Sequence, residues 1–173
     1  MANFPFYFTA AIAILATLLV VTRLNAVHAL LYLIVSLIAV AMIFFLLGAP
    51  FVAALEVIIY AGAIMVLFVF VIMMLNLGHQ SVEQEHVWYS PRAWAGPSVI
   101  AVLLLAEFIL IIARHGGATT SANEIGPRAT GIALFSTYLL GVELSSMLLL
   151  AGLVGAYHLG RRHQPYESVK GEP

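Results

Sequence analysis

Five runs of apolar residues, each close to the length that crosses a bilayer, dominate this chain. They cover Phe4 to about Val21, Ala26 to Leu47, Phe51 to Leu75, Ala95 to Ala113 and Ile132 to Leu159. A hydrocarbon core about 30 Å thick needs roughly 20 such residues per helical span. The first run is a little short, and the third and fifth are long enough to tilt. In lipid every backbone polar group must be satisfied within its own segment, so open strands are excluded and helices expected. The expected fold is all-α: one polytopic domain of five transmembrane helices over residues 1–160, with a polar tail over 161–173.

Composition agrees with that reading. Of 173 residues, 63% are hydrophobic and 9% charged, too few charges to cover a soluble domain of this size. A net charge of −1 offers no basic footprint for nucleic acid. Cysteine is absent, which removes disulfides, thiolate nucleophiles and cysteine-ligated iron–sulfur clusters from this chain. Aspartate is absent too, so every acid is a glutamate. No Lys or Arg precedes the first run, so it reads as a retained span and not as a secretory signal.

Polar punctuation separates the runs. "TRLNAVH" follows the first, "LGAP" the second, "GHQSVEQEHVWYSPR" the third and "RHGGATTSANEIGPRATG" the fourth. Arg23, Arg92, Arg161, Arg162 and Lys170 fall on one side of the membrane, Arg114 and Arg128 on the other. The cation bias orients the first set to the cytoplasm, with the N-terminus outside and the C-terminus inside. Trp88 and Trp94 flank the start of the fourth run, where interfacial aromatics are expected.

Chemistry resides in three intramembrane carboxylates. Glu56 lies toward the outer end of the third run, Glu107 in the outer half of the fourth and Glu143 near the middle of the fifth. An ionised side chain at a span centre costs about 2.5–3.5 kcal/mol on insertion scales, so each needs a partner or a purpose. Carboxyls withdrawn from water are suited to hold and pass protons, and Glu143 is the favoured relay residue for its depth. Tyr60 follows Glu56 by four residues on the same helix face and can extend such a path. Structural readings stand beside these. Glu56 can serve as interhelical glue, Tyr60 can bond a backbone carbonyl, and Glu143 can form a polar knot with Ser145 and Ser146. Gly62, between Ala61 and Ala63, suits either close helix packing or a local π-bulge.

Other features rank lower. Ala151/Gly155 and Gly152/Ala156 form small-xxx-small pairs. His79, Glu83, Glu85 and His86 share a polar loop in which solvation is the ordinary state, so no metal site is assigned. His28 and His158 stand near helix ends, where they cap or snorkel.

Three segments carry a family resemblance: "NAVHALLYLIVSL" (25–37), "ALEVIIYAGAIMVLFVFVIMMLNLG" (54–78) and "LLGVELSSMLLLAGLVGAYHLG" (139–160). They resemble the J-subunit family of bacterial NADH:quinone oxidoreductase, respiratory complex I, whose mitochondrial counterpart is the sixth NADH dehydrogenase subunit. Glu107 lies outside these segments and inherits no role. The resemblance implies a multi-pass subunit of the bacterial cytoplasmic membrane, placed in the membrane arm between quinone-site and antiporter-like subunits and surrounded by lipid. It implies no cofactor on this chain, with FMN, iron–sulfur clusters and quinone elsewhere in the complex. It also implies a π-bulge in the third helix near Tyr60, Ala61, Gly62, Ala63 and Met65. Rearrangement of that bulge would open and close a hydrated path linking quinone reduction to proton translocation. Two other readings remain: the matching region of a multisubunit cation/proton antiporter, and a passive scaffold.

Overall fold

The computed structural model describes residues 3–75, 91–115 and 124–161, and it is helical in every regular element. In chain order these are α1 (Asn3–Thr22), α2 (Ala26–Leu46), α3 (Pro50–Leu55), a π-helical segment (Glu56–Ile64), α4 (Met65–Leu75), α5 (Pro91–His115), α6 (Pro127–Phe135) and α7 (Leu139–Gly160). Five stretches are long and apolar enough to cross a membrane: Phe4–Thr22, Ala26–Leu46, Pro50–Ile72, Trp94–Ala113 and Leu139–Gly160. The five-span, all-α expectation therefore holds. The polar loop that carries His79, Glu83, Glu85, His86 and Trp88 lies outside the described residues, as does the tail beyond Arg161.

Two departures concern the last span. The run expected as one helix over 132–159 is two helices, separated by a turn at Ser136–Tyr138. There the Ser136 hydroxyl donates to the Ile132 carbonyl, and the Tyr138 N–H reaches back to the Ala133 carbonyl at 3.0 Å. Local hydroxyl bonding of this kind competes with the helical ladder. Residues 127–131, expected in a loop, instead open α6, with Pro127 at the first helical position where its missing N–H is harmless.

Chain contacts form two compact units, Met1–Pro127 and Arg128–Pro173. In the first, α1, α2 and α5 share a core of Ile12, Ala13, Ala16, Val35, Ala39, Met42, Leu104 and Ile111. Ala16 and Ala39 are wholly buried. Small side chains at such contacts let helix backbones approach, which is how helices associate when lipid removes the hydrophobic drive between them. A polar ladder crosses the same contact. Thr17 Oγ1 donates to the Ala13 carbonyl at 2.8 Å and pairs with Ser36 Oγ at 2.8 Å.

Short connections set the register. Asn25 caps α2, its Oδ1 accepting from the Val27 and His28 N–H groups at 2.9 and 3.4 Å. At the other end Gly48 takes φ 81°, its N–H bonds to Phe45 O, and the Ala49 N–H bonds to Phe44 O. This left-handed closure satisfies the last carbonyls of α2 and turns the chain into Pro50. The Gly48 carbonyl accepts the Ile125 N–H at 2.9 Å and so fixes the strand of chain that precedes α6.

The second unit holds α6 and α7, and neither buries a side chain within it. Leu148 and Leu149 are 73% and 77% exposed. An apolar helix of 22 residues that buries none of its side chains belongs in lipid or against other protein.

Candidate functional site

The third span departs from regular helix over Glu56–Ile64, nine residues of π-helix between α3 and α4. A π turn bonds residue i to i+5 and so holds one residue more than the α-helix around it. At the junction with α4 the Met65 N–H reaches the carbonyls of Gly62 and of Tyr60, the latter five residues back. Met65 is buried and anchors that junction, while the nine π residues include none that is buried. Of the helix-switch candidates, Tyr60, Ala61, Gly62 and Ala63 lie inside the segment and Met65 directly follows it.

Gly62 has a specific part in this geometry. A β-carbon placed on it would lie 3.2 Å from the Val57 carbonyl oxygen. The crowding thus comes from the π backbone itself. Among the described residues no second helix comes within 4 Å of that β-carbon. Glycine also weakens a helix by about 1 kcal/mol relative to alanine, which lowers the cost of leaving regular geometry.

Glu56 is the first residue of the π segment and Tyr60 its midpoint. Glu56 is partly buried, and Tyr60 is 49% exposed. Among the described residues neither forms a side-chain hydrogen bond, so both present unspent polar groups along one stretch of the span.

Glu143 sits elsewhere than expected. Because α7 begins at Leu139, Glu143 is the fifth residue of that span, about 6 Å along its axis, and not at mid-helix. It is exposed on this chain. Ser145 Oγ and Ser146 Oγ donate to the carbonyls of Gly141 and Val142, at 2.7 and 3.0 Å, within their own helix. Neither hydroxyl is engaged with Glu143, so the suggested knot with these serines is not formed. Gly152 and Gly155, from the small-xxx-small pairs, have nothing within 4 Å of where a β-carbon would stand.

The carboxylate with the most developed surroundings is Glu107, to which the family resemblance gave no role. Thr9 Oγ1 of α1 lies 3.1 Å from Glu107 Oε2 of α5, and Thr9 is fully buried. Glu107 Oε1 is buried and has no hydrogen-bond partner among the described residues. The pair is separated by 98 residues in the chain, and nothing local in the sequence marks Thr9 as its partner.

An apolar cavity of about 470 Å³ opens beside these elements, lined by residues of α2, α3 and α5 that include Met42, Phe45, Ala53, Leu104 and Phe108. Val57, from the start of the π segment, also borders it. Among the described residues no three His, Cys, Asp or Glu side chains gather as metal ligands.

Comparison with known proteins matches residues 16–159 to the family described as NADH-ubiquinone/plastoquinone oxidoreductase chain 6. A Pseudomonas aeruginosa relative named NADH-quinone oxidoreductase subunit J is 60% identical over 161 residues, 92% of this chain and 97% of that one. An Escherichia coli K12 relative of the same name is 53% identical over 165 residues, 95% of this chain and 90% of that one. A third, from Buchnera aphidicola of Schizaphis graminum, is 49% identical over 159 residues, 92% of this chain and 98% of that one.

Proposed function

The chain belongs to the NADH-ubiquinone/plastoquinone oxidoreductase chain 6 family, and we propose that it couples quinone reduction to proton translocation through its third span. As a multi-pass subunit of NADH-quinone oxidoreductase it works with the other subunits of complex I. The proposal places it in the membrane arm of the complex, beside the quinone-site and antiporter-like subunits, in the bacterial cytoplasmic membrane. It gives the chain no redox centre of its own; FMN, iron–sulfur clusters and quinone belong to other parts of the complex. The lack of cysteine accords with that division.

The observation that carries the proposal is the π segment Glu56–Ile64. A π turn amounts to one extra residue in the helix. Its return to regular geometry would rotate everything beyond it by about 100°, the angle per residue of an α-helix. Met65–Leu75 would then turn a different face to its neighbours. Val66, Phe68 and Phe70, all largely exposed, are the side chains that would sweep across a path beside the span. In one state they block it, and in the other Glu56 and Tyr60 line it with polar groups. Quinone chemistry drives pumping through such an element only by favouring one of its states.

Glu143 completes the reading as a relay carboxyl near the start of the last span. Exposure of an ionisable group there on the isolated chain is consistent with a neighbouring subunit that covers it, since lipid-facing carboxylates are disfavoured. Orientation follows the loop cations, with Arg23, Arg92 and Arg161 toward the cytoplasm and the N-terminus outside.

The test is the structure of the assembled complex at rest and during turnover. Residues 56–64 are expected in both π and regular α forms, with the side chains of 65–75 rotated between them. A π segment that stays unchanged in every catalytic state would overturn the coupling role.

A further inference from the structure

A count of hydrogens at the contact between α1 and α5 leads beyond the third span. Thr9 Oγ1 has two acceptors within reach, the Pro5 carbonyl at 2.8 Å and Glu107 Oε2 at 3.1 Å. A hydroxyl owns one hydrogen. The Pro5 carbonyl has none to give, so the shorter of the two contacts uses the hydrogen of Thr9. The contact to Glu107 then lacks a hydrogen unless the carboxyl brings one. An ionised carboxylate would have to share the single hydrogen between both acceptors. It would also hold Oε1 buried with no partner among the described residues. A buried charged oxygen without a hydrogen bond is the more costly arrangement; a neutral carboxyl leaves only a carbonyl oxygen unpaired.

At the neighbouring Thr17–Ser36 contact the partner owns a hydrogen of its own. Thr17 donates to the Ala13 carbonyl at 2.8 Å, and Ser36 Oγ lies 2.8 Å from Thr17 Oγ1 and 3.3 Å from the same carbonyl. Two hydroxyls bring two hydrogens there, whereas at Thr9 the partner owns one only as a carboxylic acid.

We propose that Glu107 is a proton-binding site of this subunit: the bound proton sits on Oε2 and is donated to Thr9 Oγ1, which donates in turn to the Pro5 carbonyl. The ligand is a proton, held between the first and fourth spans and independent of the π segment. Proton count and geometry place it there, and the site stands or falls apart from the coupling role of residues 56–64.

Infrared difference spectra of the assembled complex, wild type against Glu107→Gln, test the site. Glutamine keeps both the shape and a donor for Thr9, so assembly is expected to persist. The expected result at neutral pH is loss of one protonated-carboxyl C=O band in Glu107→Gln. The same band should shift in Thr9→Val, which removes the acceptor, and stay in place in Thr9→Ser, which keeps a hydroxyl. Loss of carboxylate bands alone in Glu107→Gln would overturn the proposal. So would a C=O band that is indifferent to Thr9→Val. A hydrophobic carbodiimide gives an independent reading, because it adds only to a carboxyl that carries its proton. The carboxyl oxygen bonds the carbodiimide carbon, the proton passes to nitrogen, and acyl migration leaves a stable N-acylurea. An adduct on the peptide that contains Glu107 is expected. If the infrared band is absent, the proposal fails whether or not an adduct forms.

Discussion

Gly96 of α5 lies directly against the Tyr32 hydroxyl of α2: a β-carbon on Gly96 would overlap that oxygen and stand 3.2 Å from Tyr32 Cζ. Tyr32 is 4% exposed, so its ring has nowhere to retreat. The guanidinium of Arg23, in the turn before α2, sits over the same ring, 5.3 Å from its centre. Gly96 therefore sets how close the fourth span can come to the second.

Gly96→Ala should destabilise this contact by about 1–3 kcal/mol, the usual range for overpacking. The measure is the thermal midpoint of the assembled complex and its yield on a native gel. Tyr32→Phe removes the overlapping oxygen and should recover part of the loss in the double variant. Gly96→Ala with unchanged assembly and midpoint would show that the ring moves freely.

Gly62 should report on the π segment. Alanine there gains about 1 kcal/mol of helix propensity, and its methyl would press on the Val57 carbonyl of the π form. Both effects favour regular helix. In complex that assembles normally, NADH-driven quinone reduction and proton pumping should fall in Gly62→Ala and fall further in Gly62→Leu. NADH oxidation by an artificial acceptor should persist, since flavin chemistry is assigned to other subunits. Full quinone reductase and pumping activity in Gly62→Leu would end the switch reading.

Glu143 separates a proton relay from a structural role. Aspartate keeps a proton-binding group on a shorter stem, and leucine keeps bulk without one. At equal assembly, Glu143→Leu should lose most proton pumping and Glu143→Asp retain a measurable share. Equal pumping by the two variants would favour a purely structural part for this side chain.

Orientation is checked by reporter fusions. Fusions after Gly78 and after Pro173 should report the cytoplasm, and one after Thr120 the opposite side, because cations orient short loops. The Gly78 and Thr120 fusions reading on the same side would contradict the five-span topology.

Much of the fold was legible because crossing a membrane is a local, additive property. Twenty apolar residues in a row meet the length requirement wherever they occur, and Asn25, Gly48 and Pro50 punctuate through their own backbone chemistry. The possibility of a π-bulge was also legible at Gly62, since a glycine between two alanines weakens regular helix locally. The nine-residue extent of the π segment was not. Hydropathy has no term for backbone hydrogen-bond register, and the same apolar letters fit α and π turns alike.

Glu143 shows how one local signal misleads. Apolar residues continue unbroken through 132–135 and 139–142, so its depth was read from a single long helix. The turn at Ser136–Tyr138 moves the start of the span and brings Glu143 close to its end. Hydroxyl-to-carbonyl bonds made that decision, and their energy does not appear in a count of apolar residues.

The sequence by itself determined that this chain is a bundle of membrane-spanning helices with carboxylates inside them. Only the tertiary structure decided which of those carboxylates has a partner. Glu107 and Thr9 meet because the small side chains of α1 and α2 let those helices close and leave α5 a seat beside them. Gly96 and Tyr32 meet where α5 packs on α2. A hydrogen bond or a steric stop depends on positions within a few tenths of an ångström. Residues far apart in the chain acquire such positions only when the helices pack.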